Sequence, residues 1–414
     1  MDAAVPPRNT YPGAEPPRFG RDGGSSRHGA AHRPAGRGGP QLKPVLISVG
    51  IIVVVAALGA WALVATRPRP PAKPSATSTH RVVPLAHQSS PAAKAAPATV
   101  SITWVGDMTF GTLNAWPSAG TGSLLDAVKP YLHSDLTVGN LESALGDIPM
   151  TKCAPQEKDC YQFEAPDSTA NDLRRDGFAA VSVANNHTLD AGSAGETSTD
   201  SALRGAGLKW AGRPGQITYL VRNGIKIALL GFAPWSYDAD ALDIAGAEAL
   251  VRQAKQHAQV VIVMEHLGGE GDSYRHVQPG EEYFLGQGRG NSIAFTHGVI
   301  DAGADLVMGS GPHVLRGFQW YHGHLIAYSL GNFCGFNTLG LDGYTSISAM
   351  LHVTLNATGQ FVRGSITPLQ LVAPGTPQAD PNKTAISYIN ALSRDDFARN
   401  GAVHISATGD LGGP

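Results

Sequence analysis

The pattern of apolar and polar positions changes texture three times along the chain. Residues 1–44 show no hydrophobic period and hold 16 glycines and prolines. That share exceeds what marks a disordered segment, so no fold is expected there. Residues 45–65 are an unbroken uncharged run, long enough to cross about 30 Å of hydrocarbon as one helix. Lys43 and Arg67 flank it, and Trp61 sits near its far end, where an interface anchor belongs. Residues 66–98 are rich in Pro, Ala and Ser and read as a semi-rigid stalk, on the order of 100 Å long if fully extended. From Val100 onward, short β-rich runs alternate with helix-like stretches.

In that last region the runs 100–105, 136–138, 179–184, 217–221, 225–232, 260–264, 306–308 and 325–329 predict strands. Several are almost wholly apolar, as strands covered on both faces are. Asn223-Gly224 between two of them predicts a hairpin. Helices are expected near 123–132, 168–176, 194–206, 246–257 and 292–302, and two more strands at 346–355 and 360–369. The alternation points to a layered α/β domain over 99–370 with a mixed sheet. Residues 371–414 read as a C-terminal extension with one short helix over 383–397.

Charge refines this picture. The formal net charge of the 414 residues is −2. It divides into +4 in the tail, 0 in the apolar run, +5 in the stalk and −11 in the rest. A strongly acidic body excludes a nucleic-acid binder, which would be basic. Each flank of the apolar run carries four Lys or Arg within 18 residues, so the positive-inside count does not orient it. The run is too long for a typical signal-peptide core and 44 residues precede it, which favours a signal anchor over a cleaved signal. A single early span ahead of a large domain acts as an export signal. The expectation is therefore a single-pass protein of the cell membrane, N-terminus cytoplasmic and main domain extracytoplasmic. Outside the cytoplasm Cys153 and Cys160 would pair, leaving Cys334 as a buried small apolar residue.

The polar residues with chemical potential follow strands. Asp107 comes after 100–105, Asn140 and Glu142 after 136–138, and Asn185, Asn186 and His187 after 179–184. Glu265 and His266 follow 260–264, His313 follows 306–308 and Asn332 follows 325–329. Ligands of open α/β sheets bind outside the carboxyl ends of strands. Each residue alone equally suits a turn, a cap or a structural histidine; the repetition at six strand ends is the signal. Asp107, Glu142, Asn186, His266 and His313 form an oxygen and nitrogen donor set that suits a divalent ion such as Mn, Zn or Mg. His187 is the candidate acid or base, with Asp190 to orient it. Asn140, Asn185, Glu265, Ser310 and Asn332 are expected to contact substrate or to support the ligands.

Taken in order, Gly106-Asp-Met108, Asn140-Leu-Glu142, Ala184-Asn-Asn-His187 with Asp190, Glu265-His-Leu-Gly268, Gly311-Pro-His-Val-Leu315 and Tyr328-Ser-Leu-Gly-Asn-Phe333 resemble the CapA family of capsule and poly-γ-glutamate biosynthesis proteins. The resemblance covers roughly 100–369. It implies a four-layer α/β/β/α sandwich like that of calcineurin-like metallophosphoesterases. It also implies a site lined by Asp107, Glu142, Asn186, His187, His266 and His313. Related sequences place a histidine just before the Pro-His pair, where this chain has Ser310 and Gly311. Thr109 stands where the phosphoesterases have the histidine of an Asp-x-His opening, and Leu267 where a Trp is usual. Three functions follow as expectations. One is metal-dependent hydrolysis or transfer on an anionic surface polymer. Another is a scaffold for membrane polymer synthase subunits. The third is hydrolysis of a small phosphoester.

Overall fold

The computed structural model describes residues 98–112, 115–154, 157 and 160–414. The expected tail, the apolar run at 45–65 and the stalk up to residue 97 lie outside the described residues. Among the described residues no helix is long and apolar enough to cross a membrane.

Two mixed sheets face each other. The first runs in the order Thr376–Ala379, Phe361–Val372, Ile347–Asn356, Thr99–Thr109, Leu136–Leu141, Phe178–Ser182, Lys209–Ala211, with Asn332–Gly335 also pairing along Thr99–Thr109. From Thr99–Thr109 to Lys209–Ala211 its neighbours are parallel; on the other side they are antiparallel. The second runs Phe318–Tyr321, His324–Ala327, Leu306–Ser310, Val260–His266, Ile225–Phe232, Thr218–Arg222, with a parallel centre and an antiparallel hairpin at each edge. One hairpin turns on Asn223 and Gly224, both at positive φ (52° and 79°), the geometry that an Asn-Gly turn supplies.

Side-chain alternation sorts the apolar residues into three cores. Val100, Ile102, Trp104, Leu136 and Val138 of the first sheet meet Ile227, Leu229, Ile262, Met264, Leu306 and Met308 of the second. Val105, Met108 and Val181 point the other way, against Ala170, Leu173 and Leu203 of the helices Thr169–Arg175 and Gly192–Gly205. Leu230, Val261, Val263 and Val307 likewise pack on Val251, Phe295 and Val299 of the helices Ile244–Lys255 and Ser292–Asp301. The result is an α/β/β/α stack. The last two helices start where Asp243 and Asn291 accept backbone N–H groups of Gly246 and Ala294, each at 3.0 Å.

Two expectations are corrected. The helix expected over 123–132 is two short 3-10 turns, Thr121–Leu125 and Lys129–Tyr131. Pro130 has no N–H for a continuing helix, and the Asp172 carboxylate accepts from Thr121 Oγ1 and Gly122 N instead. Residues 371–414 are not an appendage. Thr376–Ala379 extends the first sheet, and Thr384–Phe397 places Ala385, Ile386 and Ile389 in the core between the sheets. Strands of three or four residues, such as Lys209–Ala211 and Phe318–Tyr321, were not foreseen, because so few positions carry no period.

Candidate active site

The parallel strands of both sheets deliver their carboxyl ends to one edge, and the polar residues converge there. Asp107 reaches it through a bulge. Val100, Ile102 and Trp104 face the inter-sheet core, so strict alternation would send residue 106 inward and Asp107 toward the helices. The register of Thr99–Thr109 shifts between Val105 and Asp107, which reverses the phase. Only glycine suits position 106, since a Cβ there would collide with the Gly331 carbonyl oxygen. The Asp107 N–H donates to that oxygen at 2.9 Å.

Asp107, Glu142 and His266 are fully buried, and ligand atoms of all three lie within 4.8 Å of one another. His266 Nδ1 is 3.4 Å from Glu142 Oε1 and 3.9 Å from Asp107 Oδ1. Among them stands Asn140, whose Nδ2 donates to Asp107 Oδ1 at 2.9 Å and to Glu142 Oε1 at 3.0 Å. That orientation is inherited from the backbone. Asn185 Nδ2 donates to the Leu141 carbonyl and to Asn140 Oδ1, while Asn185 Oδ1 accepts from His187 N. His313 closes the far side with Nδ1 3.3 Å from Asp107 Oδ2 and 2.8 Å from Asn332 Oδ1. Its φ of 58° is uncommon for a side-chain-bearing residue.

The electrostatics show a cluster short of positive charge. Burial, then the neighbouring Asp107, push the Glu142 carboxyl well above its usual range. Burial acts the same way on Asp107, but the hydrogen bond and charge of His313 outweigh it and pull Asp107 down. Burial also opposes a charged His313, yet the charge of Glu142 and the hydrogen bond of Asp107 raise it to about 10. Burial drives His266 down to about 3, which leaves a neutral imidazole. Three buried atoms, Glu142 Oε2, Asn186 Oδ1 and His266 Nε2, have no hydrogen-bond partner among the described residues. Native proteins rarely leave such atoms unmatched without an unplaced water or ion. Two carboxylates, a neutral imidazole and orphaned lone pairs therefore fit a divalent cation.

Beside this cluster, His187 Nδ1 lies 2.7 Å from Asp190 Oδ2, and both are buried. The carboxylate fixes the proton on Nδ1 and leaves Nε2 as the free nitrogen. Burial lowers the His187 pKa, with Asp190 opposing it. Asn186 meets Glu270, with Nδ2 3.4 Å from Oε1.

All five candidate ligands, the His187–Asp190 pair, Asn140, Asn185 and Asn332 thus meet at one edge. Glu265 does not. It precedes His266 on the same strand, so the pleat turns it to the opposite face. There its Oε1 occupies the space that a Cβ of Gly309 would need, and burial raises its carboxyl well above the usual range. Ser310 spends its hydroxyl on the Glu265 carbonyl at 3.0 Å. No imidazole fits at Gly311. Its φ is 106° and a Cβ would lie 3.1 Å from the His266 ring, while its N–H serves Asp107 Oδ2 at 3.2 Å. Cys153 and Cys160 are joined by a disulfide and Cys334 is buried and free.

The sequence reading missed Lys152, Glu270 and Arg289. A cavity of about 770 Å³ opens over the site, and these three line it with Asn186, His187 and His313. Glu270 ion-pairs with Arg289 at 2.6 Å and lies 3.9 Å from His313 Nε2. The Arg289 guanidinium lies over Trp235 at 5.1 Å and Phe284 at 5.2 Å. Glu270 had a signal, four residues past His266 in the same strand-end loop. Lys152 and Arg289 arrive from distant loops and had none.

The chain is similar to known proteins over this region. The family model described as bacterial capsule synthesis protein PGA_cap matches residues 101–336, more than half of the chain. The PGA biosynthesis protein CapA of Bacillus subtilis (strain 168) is 28% identical over 318 residues, covering 72% of this chain and 78% of that protein. The capsule biosynthesis protein CapA of Bacillus anthracis is 29% identical over 288 residues, covering 62% of each. Among solved structures, a 5'-nucleotidase precursor from Thermus thermophilus superposes with a TM-score of 0.35 at 14% identity, over 72% of this chain and 59% of that one. Matched over residues 101–336, which hold the second sheet, the parallel part of the first and the candidate site residues from Asp107 to Asn332, the chain belongs to the bacterial capsule synthesis protein PGA_cap family.

Proposed function

We propose that the protein works in the synthesis or export of a capsule- or poly-γ-glutamate-type surface polymer, through metal-dependent hydrolysis or transfer at the Asp107–Glu142–His266 site. The observation that carries this reading is the set of buried, unpartnered ligand atoms beside an oriented His187–Asp190 pair. Asp107, Glu142 and His266 would hold the ion, with Asn186 and His313 at hand. A bound divalent ion would polarise a carbonyl or phosphoryl oxygen and activate water. His187 holds its proton at Nδ1 against Asp190 and exchanges a proton through Nε2. Asn140 and Asn185 fix the carboxylates and the 185–190 turn by hydrogen bonds. Lys152 and Arg289 line the cavity wall, each already paired with a carboxylate, Asp190 and Glu270.

Residues 45–65 would anchor the chain in the cell membrane and 66–98 would carry the domain away from it, within reach of polymer synthase subunits. The Cys153–Cys160 disulfide supports an extracytoplasmic domain, since such bonds persist in oxidising compartments. Elemental analysis of the purified protein tests the reading. It predicts one or more divalent ions per chain, lost in Asp107→Ala together with polymer production in a complemented deletion strain. A metal-free protein whose Asp107→Ala variant still supports polymer production would overturn it in favour of a scaffold.

A further inference from the structure

The His187–Asp190 pair is held by a part of the chain far from it in sequence. On one arm, Thr151 N and Lys152 N both donate to the Asp190 carbonyl, at 2.8 and 3.1 Å. The Lys152 ammonium reaches further in. Its Nζ lies 2.9 Å from Asp190 Oδ1, 2.9 Å from the Asn186 carbonyl oxygen and 3.3 Å from His187 Nδ1. On the other arm, Phe163 N donates to Asp190 Oδ2 at 2.7 Å, and the Phe163 ring lies 4.2 Å from the His187 ring. Lys152 immediately precedes Cys153, Phe163 follows Cys160 by three residues, and the disulfide ties the arms together. Cys153 N also donates to Gln162 Oε1 at 3.3 Å.

We propose that these arms, residues 151–153 and 160–163 locked by the Cys153–Cys160 disulfide, form a clamp on the catalytic pair, with Lys152 as its positioning residue. Asp190 is fully buried. A buried carboxylate must have its charge and lone pairs matched. Oδ2 accepts from Phe163 N and faces His187 Nδ1, while Oδ1, which has no hydrogen-bond partner among the described residues, has its charge matched by the Lys152 ammonium at 2.9 Å. Without the ammonium, the buried Oδ1 would lose its counter-charge, and rotation of the carboxylate toward a donor would release His187 Nδ1. Lys152 also ties Asp190 to the Asn186 carbonyl, so it closes the turn that carries His187. The disulfide supplies what hydrogen bonds at a cavity mouth cannot: it keeps both arms at their ends after any single bond opens. Breaking the cross-link returns chain entropy to the arms and loosens Lys152 with them.

The consequence for turnover rests on the proposed role of His187, but the geometry is tested apart from it. The full chain is labelled with ¹⁵N-histidine, and His187→Gln identifies the His187 signals by difference. The oxidised wild type should show a His187 Nδ1–H proton protected from solvent exchange. Lys152→Met and the Cys153→Ser/Cys160→Ser pair should each lose that resonance to exchange, whereas Lys152→Arg should keep it. The His297 and His352 signals serve as a control for the intact fold. If the serine pair fails to fold, reducing folded wild type with a phosphine should cause the same loss. Persistence of the protected resonance in Lys152→Met, or in the reduced protein, overturns the clamp. Metal content measured on the same wild-type sample reports separately on the proposed function.

Discussion

Arg316 is fully buried, and its three bonding nitrogens are all used. Nη1 and Nη2 meet Glu282 Oε1 and Oε2 at 2.9 and 2.6 Å, and Nε donates to the Tyr274 carbonyl at 2.8 Å. Glu282 also accepts from Gly269 N at 3.0 Å, one residue before Glu270 of the site. The pair therefore pins the loop that carries Glu270. Replacing Arg316 by Met keeps the volume roughly but leaves the Glu282 carboxylate buried with one backbone donor. Orphaning one member of a buried pair costs about 3–5 kcal/mol. Removing both charges in Arg316→Met/Glu282→Met abolishes the orphan, so the double variant should recover about 2 kcal/mol relative to the single one. Urea unfolding of wild type, both singles and the double measures this, with equal m-values required for the comparison. A loss below about 1 kcal/mol in Arg316→Met, the level of an exposed pair, would refute the argument. So would a double variant as unstable as the single one.

Other outcomes follow from the same structure. Burial raises the Asp238 carboxyl to about 8, and its Oδ2 has no partner among the described residues. Because its pKa is raised on folding, the folded state binds the extra proton. Stability should therefore fall as pH rises from about 4, the unfolded value, to about 8. In Asp238→Asn that part of the thermal-unfolding profile should flatten; an unchanged profile contradicts the assignment. Gly106→Ala places a methyl on the Gly331 carbonyl and should cost about 3 kcal/mol or more, read as a lowered unfolding midpoint or loss of folded protein. Glu270→Gln removes the partner of Arg289 and His313 and should weaken divalent-ion retention several-fold in equilibrium dialysis. Retention equal to wild type would place Glu270 outside the ion's field.

Much of the fold is legible in the sequence. The long apolar runs became the central strands because a strand covered on both faces needs no polar alternate. The exceptions were local. Pro130 and Asp172 replaced a helix with two tight turns, and strands of a few residues left no periodic trace. The helix Thr384–Phe397 was visible as a helix, but its role in the core was not. An amphipathic stripe says that a face is buried and not against what.

For the site, the sequence by itself determined which residue types stand at strand ends, and that alone brought Asp107, Asn140, Glu142, Asn186, His187, His266 and His313 into one candidate set. The tertiary structure decided what adjacency in sequence cannot. Glu265, beside His266, faces the opposite side because successive strand residues alternate. Asp107 faces inward only because a bulge at Gly106 reverses that alternation. Lys152, Glu270 and Arg289 join the site from loops whose course depends on packing, a disulfide and buried ion pairs. Local pattern encodes strand ends and faces; the meeting of distant loops is set by how the two sheets stack and what that stack buries.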